Sequence, residues 1–447
     1  MNRILSALPE FSGIRQSLMI EAPAESAAIF LCEPVSTPQG TRLLVDSIVR
    51  PGMADYSIQE ALRLELKPTF VARVLKKARD HRKSLILVHS HPFAKGAHFS
   101  EIDLAGEEQL APTLFQRAPD RPHGWLVMSP DGFSGRLRLG AEVIQPIDRL
   151  TRVGTILQVE TRLSNSDLGS HFDRTVRALG EDGQRRLRAL EIAVVGVGGL
   201  GSMVAQQLAH LGVGRLLLID HDRIERTNLN RVVGAREADI GRAKVEVLAE
   251  ALGKIGTGAL VAARVGSILH KSVARELLDA DVVFSCTDTH GSRAILNQLA
   301  YQYLLPTIDT GVRIDALDGR LQSIQGRVQL LAPGLPCLLC EQFFDPEQVR
   351  RDLLTDTERR LDPYIVGDVQ PQPAVISING TVASLAVTML LAVAAGLPSN
   401  SRHLRYDGMR NRVVPIESSQ DLACVVCSSE GALGKGDRWS VPWRERP

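Results

Sequence analysis

Three groups of residues in this 447-residue chain have the types and spacings that chemistry requires. Gly196-Val-Gly198-Gly199-Leu-Gly201 follows the apolar run 191–195 and opens the stretch 200–211, whose pattern predicts a helix. Such a turn lets the backbone approach phosphates, and the helix start presents oriented N–H groups. Asp220 closes the next apolar run, where a carboxylate takes ribose hydroxyls. Alone, this reads as a dinucleotide-binding turn. The residues beyond it change the chemistry: Asp220-His-Asp222, then Asn228-Leu-Asn230-Arg231, then Lys244, then Thr287-Asp288. Hydride transfer has no use for arginine and lysine converging on phosphates, whereas adenylation accumulates negative charge on a triphosphate. Arg231 and Lys244 supply positive charge there, and Asp288 suits Mg2+.

The second group is Cys337-x-x-Cys340 with Cys424-x-x-Cys427. Four thiolates make a closed tetrahedral zinc site, which leaves no position for substrate, so its expected role is structural. A redox pair is the competing use. Cys32 and Cys286 read as packing residues. The third group is His89-x-His91 with Ser100-Glu-Ile-Asp103. Histidines two apart at a strand end face one side, and an aspartate one turn into a helix completes three ligands. Three ligands leave a zinc position open, as in a hydrolase. Ser100 also reads as a helix N-cap.

The elements that position these groups follow from periodicity. In the first third, 29–32, 42–49 and 84–88 read as strands, 125–128 and 136–139 as a hairpin around the turn 129–132, and 68–82 as a helix. Residues 141–170 read as a polar connector. Strands at 191–195, 215–219 and 281–284 around the helix 200–211 give a parallel α/β pattern. The most apolar stretch, 382–397, is expected to be a buried helix too short to span a bilayer. Composition is that of a soluble globular protein, 44% apolar and 23% charged, with net charge +1, so nothing points to nucleic acid or a membrane surface. Four of six cysteines in CxxC pairs fit a reducing cytoplasm, the expected location.

Taken together, Phe172-Asp-Arg174, the glycine turn, Asp220, Asn228-Leu-Asn230-Arg231, Lys244 and Cys286-Thr-Asp288 resemble the ubiquitin-activating superfamily, close to the ThiF and molybdopterin-synthase adenylyltransferases. The resemblance covers about 165–430. It implies adenylation of the C-terminal glycine of a β-grasp protein, with Asp220 on the ribose, Arg231 and Lys244 on the triphosphate, and Asp288 on Mg2+. It further implies a homodimer in which Arg174 reaches the second subunit's site, although Thr175 stands where the family has Gln. Many relatives carry a nucleophilic cysteine in the loop after the first knuckle. This chain has no cysteine between Cys340 and Cys424, so adenylation without an enzyme-bound thioester is expected, with 341–373 forming the loop.

His89-Ser-His91-Pro with Ser100-x-x-Asp103 is similar to the JAMM (JAB/MPN) metalloprotease motif, over roughly 15–140. That resemblance implies an upstream general-base glutamate, which Glu25 matches ahead of an apolar strand, and gives Ser100 the oxyanion. The expected architecture is therefore α/β: a JAB/MPN α+β domain (1–145), a linker (146–165), a Rossmann-like adenylation domain with a four-cysteine zinc site (166–430) and a tail (431–447). Both resembled families act at the C-terminal glycine of a ubiquitin-like protein. The leading expectation is a bifunctional enzyme using ATP, Mg2+ and two zinc sites for bacterial ubiquitin-like conjugation, of the kind found in operons linked to phage defence. Expected partners are the β-grasp protein and a conjugating-enzyme-like protein. Processing of a sulfur carrier for thiocarboxylate formation, with a sulfur donor as partner, is the alternative. A scaffold that merely binds the modifier, and a nicotinamide oxidoreductase, rank below both.

Overall fold

The computed structural model describes residues 1–140, 142–162, 168–355, 358 and 373–445. They divide into two compact units, the first comprising Met1–Arg152, Gln158–Ser164 and Gly434–Arg438, the second the remainder.

The first unit contains strands β1 (Asn2–Ser6), β2 (Ala27–Thr37), β3 (Gly40–Val49), β4 (Tyr56–Gln59), β5 (Leu64–Leu66), β6 (Ser84–Ser90), β7 (His123–Ser129), β8 (Gly132–Arg138), β9 (Ile144–Arg152) and β10 (Gln158–Thr161). Its long helices are α1 (Pro68–Asp80) and α2 (Glu101–Arg117). The main sheet runs β1-β3-β2-β6-β7-β8-β9-β10, and β1 also pairs with β9, so the sheet closes on itself; β4 and β5 form a separate ribbon. Strand β2 is buried on both sides, which explains its nearly unbroken apolar run. Ala28, Phe30 and Cys32 join one core with Ile86, Leu126 and Leu137. Ile29 and Leu31 join the other with Phe70, Val74 and Ala78 of α1 and Ala111 and Leu114 of α2. The two-residue period thus divides one strand between two cores. Helix α1 starts on Pro68 and ends on Lys77 and Arg79, as its macrodipole favours. Fully buried Glu107 of α2 accepts from Arg136 Nε at 2.8 Å and Arg138 Nε at 2.6 Å, fixing that helix to β8.

Of residues 146–165, expected as a linker, 146–152 and 158–161 are instead part of the sheet. They hold most of β9 and all of β10, which pair antiparallel and complete it. Pro146 and three charged residues gave β9 a polar look, yet Ile147 and Leu150 face the core. The expected tail is packed as well: Gly434–Arg438 belongs to the first unit, with Arg438 3.5 Å from buried Glu33.

The second unit holds β11 (Glu191–Val195), β12 (Arg215–Asp220), β13 (Leu260–Val265), β14 (Val282–Ser285), β15 (Thr307–Leu317), β16 (Arg320–Leu331), β17 (His403–Asp407) and β18 (Arg412–Pro415). Helices α3 (Asp173–Ala189), α4 (Gly199–His210), α5 (Lys244–Gly253), α6 (His290–Gln302) and α7 (Ile376–Leu390) accompany them. The sheet order is β13-β12-β11-β14-β15-β16-β17-β18, parallel from β13 to β15 and antiparallel beyond. The strand order reverses between β11 and β14, which opens a crevice at their C-terminal ends. Helix α7 packs on α4, β15 and β16. With its continuation it spans Ile376–Ala395 at mean hydropathy 1.9, long and apolar enough to cross a membrane by length and composition, and half of it is buried in this fold. The apolar helix thus begins earlier than 382; the expected burial holds, the expected shortness does not.

Candidate functional site

The glycine turn sits at the crevice where the strand order reverses. Gly196, at φ +84°, leaves β11 with its N–H on Ile219 O (2.8 Å). A Cβ there would lie 2.7 Å from Cys286 O, so the turn rests directly against the segment that leaves β14. On Gly201 a Cβ would lie 1.8 Å from Gly196 O. Gly198 differs: no heavy atom stands within 4 Å of its Cβ position, and it precedes the first turn of α4. Space and free N–H groups therefore meet at Gly198, as a phosphate site requires.

Asp220 is buried, its two oxygens accepting from Val197 N (2.8 Å) and Asp222 N (2.9 Å). It therefore organises the turn before any ribose is considered. Lys244, at the first position of α5, pairs with Asp222 at 2.8 Å; burial raises the Asp222 carboxyl, but the lysine's hydrogen bond and charge, with the charge of His221, together outweigh it and lower it. Arg231 donates to Thr227 O (2.5 Å) and Asn230 Oδ1 (3.2 Å), and its aliphatic carbons lie 3.1–3.2 Å from a Cβ on Gly199. Asn228 is buried and accepts from Glu225 N at 3.2 Å, a local cap, so its contribution here is to the loop. Asp288 is exposed beyond β14 with no hydrogen-bond partner among the described residues. Arg174 is likewise exposed at the start of α3, without a partner among them.

Two features of this site escaped the sequence. Arg293 donates to Asp309 (2.9 Å), Thr287 O (2.7 Å) and Thr310 O (2.9 Å), tying the 286–288 segment to β15. Its place on the first turn of α6, capped by Thr289, was the available signal. Asn379 of α7 is buried with its Nδ2 2.6 Å from a Cβ on Gly199, and nothing in an apolar helix announces it.

The four knuckle sulfurs converge: Cys337–Cys340 3.7 Å, Cys337–Cys424 3.6 Å, Cys340–Cys427 3.4 Å. Zinc–sulfur bonds of about 2.3 Å give a tetrahedron whose edges are about 3.8 Å, so the set fits zinc. Hydrogen bonding between Cys337 and Cys427 pushes the first thiol up and draws the second down. Cys32 is fully buried in the first unit's core and burial pushes its thiol up; burial pushes Cys286 up to about 12. Neither is a ready nucleophile. Of the expected loop 341–373, residues 341–355, 358 and 373 are described, and Pro346–Leu353 within them is a helix capped by Asp345 rather than loop; the other residues lie outside the described ones.

In the first unit, Ala27 of β2 is paired with His89 of β6, which brings Glu25 beside the histidines. His89 Nε2 lies 3.0 Å from Asp103 Oδ1 and 3.2 Å from His91 Nε2; His91 Nε2 lies 3.3 Å from Asp103 Oδ2 and 3.6 Å from Glu25 Oε1. Zinc bonds of about 2.0–2.1 Å imply ligand separations near 3.3 Å, so this set fits zinc as well. Burial raises the Asp103 carboxyl, but hydrogen bonds from His89 and His91 outweigh it and hold it well below the usual range. Burial raises Glu25, partly offset by the two histidines. Ser100 fulfils the cap: its Oγ accepts from Asp103 N (3.2 Å) and donates to Asp103 Oδ2 (2.8 Å). Its hydroxyl hydrogen therefore points at Asp103, and reaching an oxyanion requires that hydroxyl to swing away. A cleft of about 920 Å³ opens from Glu25, His89 and Asp103 and runs between α1 and α2.

Against this geometry, residues 172–426 match the ThiF family, more than half of the chain. The chain belongs to the ThiF family. Among its relatives is the adenylyltransferase and sulfurtransferase MOCS3 of Caenorhabditis briggsae, 27% identical over 275 residues, covering 61% of this chain and 63% of that protein. The SAMP-activating enzyme E1 of Haloferax volcanii is 28% identical over 257 residues, 57% of this chain and 86% of that one. The molybdopterin-synthase adenylyltransferase of Escherichia coli (strain K12) is 26% identical over 254 residues, 56% and 92%. The chain thus spans less than two thirds of the MOCS3 relative, and the ThiF match leaves the first unit unassigned.

Proposed function

We propose that the second unit adenylates the C-terminal glycine of a ubiquitin-like or sulfur-carrier β-grasp protein, and that the first unit is a JAMM-type zinc hydrolase cleaving after that glycine. The observation that carries the first half is the glycine turn, open at Gly198 and resting against Cys286-Thr287, at the strand-order reversal of a ThiF-family chain. The carboxylate attacks the α-phosphorus of ATP and pyrophosphate leaves. N–H groups at Gly198 and the start of α4 hold phosphate oxygens, Arg231 and Lys244 neutralise developing charge, and Asp220 keeps the turn in shape. Lys244 must exchange Asp222 for phosphate to do so. Mg2+ held by Asp288 would neutralise phosphate charge when bound. With Cys32 buried, the half-buried Cys286 thiol pushed up to about 12 and no cysteine between the knuckles, the adenylate passes to an external nucleophile. Exposed Arg174 completes a neighbouring copy's site, which makes the enzyme a homodimer.

The second half rests on four side chains of suitable chemistry within 3.0–3.6 Å of their neighbours. Zinc held by His89, His91 and Asp103 would supply Lewis-acid activation when bound. Glu25, kept basic enough by burial, takes the proton of the attacking water and returns it to the departing amine. Ser100, released from Asp103, donates to the oxyanion. The cysteine knuckles hold a second, structural zinc ion. The enzyme works in the cytoplasm, with the modifier and a conjugating-enzyme-like protein, or a sulfur donor, as partners.

The test is the intact mass of a β-grasp protein with its natural tail, incubated with zinc-loaded enzyme with and without Mg-ATP. Trimming to a terminal glycine, then an ATP-dependent AMP adduct, is the expected result. No trimming would remove precursor processing. A thiol-sensitive covalent complex would overturn the thioester-free route. Transfer to amines separates conjugation from sulfur transfer.

A further inference from the structure

The cleft beside the His89–Asp103 cluster carries a charge gradient that the hydrolase reading does not use. Helix α1 ends just before β6 begins, and α2 leads into β7, whose start lies beside the start of β6. His89 lies near the other end of β6, so both helices run away from the cluster in the same direction. The cleft between them is lined first by Leu62, Leu64, Leu66, Val71 and Leu110, then by Lys76, Arg79 and Arg117. Of the lining acids, Glu25 and Asp103 belong to the cluster, Glu107 is neutralised by Arg136 and Arg138, and Glu65 pairs with Arg63 at 3.5 Å. At the far end Lys76 and Arg79 share one carboxylate, Asp80. Arg117 is exposed and has no ion-pair partner among the described residues. The far end is therefore net basic.

We infer that this end is a specificity subsite for an acidic side chain on the acyl side of the cleaved bond. The inference rests on the hydrolase reading of the first unit. From Asp103 to Arg117 the axis of α2 advances about 21 Å, at 1.5 Å per residue. An extended polypeptide covers that in about six residues, at roughly 3.3 Å each. The leaving side changes between a precursor tail and a conjugate, whereas the acyl side is constant, so a lined cleft can select only on the acyl side. The occupant is a flexible tail with apolar residues near the glycine and Asp or Glu about six positions before the bond.

The probes are synthetic peptides ending in Gly-Gly-aminocoumarin, with leucines upstream and either Glu or Lys at the sixth position. They are assayed for kcat/KM with the zinc-loaded full-length chain. The Glu peptide is expected to be favoured about fivefold to tenfold, the scale of one exposed ion pair gained and one repulsion removed. Arg117→Glu, which brings the far end to net zero, should abolish the preference, and Arg117→Gln should reduce it, without change in melting temperature. Equal cleavage of both peptides overturns the subsite and leaves the hydrolase intact. A uniform loss on both peptides in Arg117→Glu makes the arginine structural and also overturns it. Cleavage of neither peptide overturns the hydrolase reading along with it.

Discussion

Gly198 and Gly201 belong to one turn and should respond oppositely to an added methyl group. A Cβ on Gly201 would stand 1.8 Å from Gly196 O and 3.1 Å from the Cys286 side chain. Restoring a carbon–oxygen contact of roughly 3.3 Å moves that carbonyl about 1.5 Å. It belongs to a residue whose N–H already bonds Ile219, so the shift spreads into β12. Overpacking of this severity costs about 3 kcal/mol, the upper end of its usual range, and lowers Tm by roughly 6–12 °C. Gly198→Ala meets nothing within 4 Å at φ −68°, so its Tm should stay within about 1–2 °C of wild type. If the open space belongs to the triphosphate, the same methyl lowers ATP–pyrophosphate exchange about 100-fold through misplacement of the reacting groups. Scanning fluorimetry with and without Mg-ATP, beside the exchange assay, measures both. Wild-type exchange in Gly198→Ala would refute close approach of phosphate at that position. Loss of Tm in the same variant would refute the steric account of the turn.

Asp288→Asn should cut Mg2+-dependent exchange about 100-fold with unchanged Tm, since that carboxylate has no hydrogen-bond partner among the described residues; a lowered Tm would give it a structural part instead. Cys424→Ser should lose one zinc per chain by elemental analysis and destabilise the second unit, while zinc at the His89–Asp103 cluster stays. Glu25→Gln should retain zinc and lose about 10²–10⁴-fold of hydrolysis, leaving adenylation intact; full hydrolysis would remove Glu25 as the base. His123 is fully buried, accepting from Leu85 N at 3.1 Å, and burial lowers its pKa from 6.5. The unfolded chain therefore binds the extra proton, and its stabilisation is complete above about pH 6.5 and lost as pH falls from there towards the depressed value. His123→Gln should flatten that acid decline in Tm, and an unchanged slope would assign the decline elsewhere.

Much of the chemistry was legible because it is encoded locally or by short spacing. His89, His91, Ser100 and Asp103 fall together because one strand end and one helix cap place them. The cysteine pairs meet because each pair is already a tight knuckle. The strands 84–88 and 191–195 were legible because burial on both faces leaves them continuously apolar. What stayed hidden depends on distant partners. Strand β9 looks polar because its charged residues are accommodated by the closed sheet, not by its own sequence. Arg293 and Asn379 gain meaning only when α6 and α7 pack beside the turn. Lys244, read as a ligand of the triphosphate, is held by Asp222. No periodicity could reveal that.

The short segment 434–438 sets the order in which the first unit can be finished. A Cβ on Gly436 would come within 2.7 Å of Val35, and Arg438 lies 3.5 Å from Glu33, so this segment covers β2. During synthesis β1 must wait for β9, and β2 must wait until residues 434–438 have left the ribosome. Cutting the gene after β10 would therefore leave Val35 and the Glu33 carboxylate without their cover. A first unit assembled in this way gains its last contact only when the ThiF-family sequence has already been made, so a chain that ends within that sequence is not released with a completed first unit.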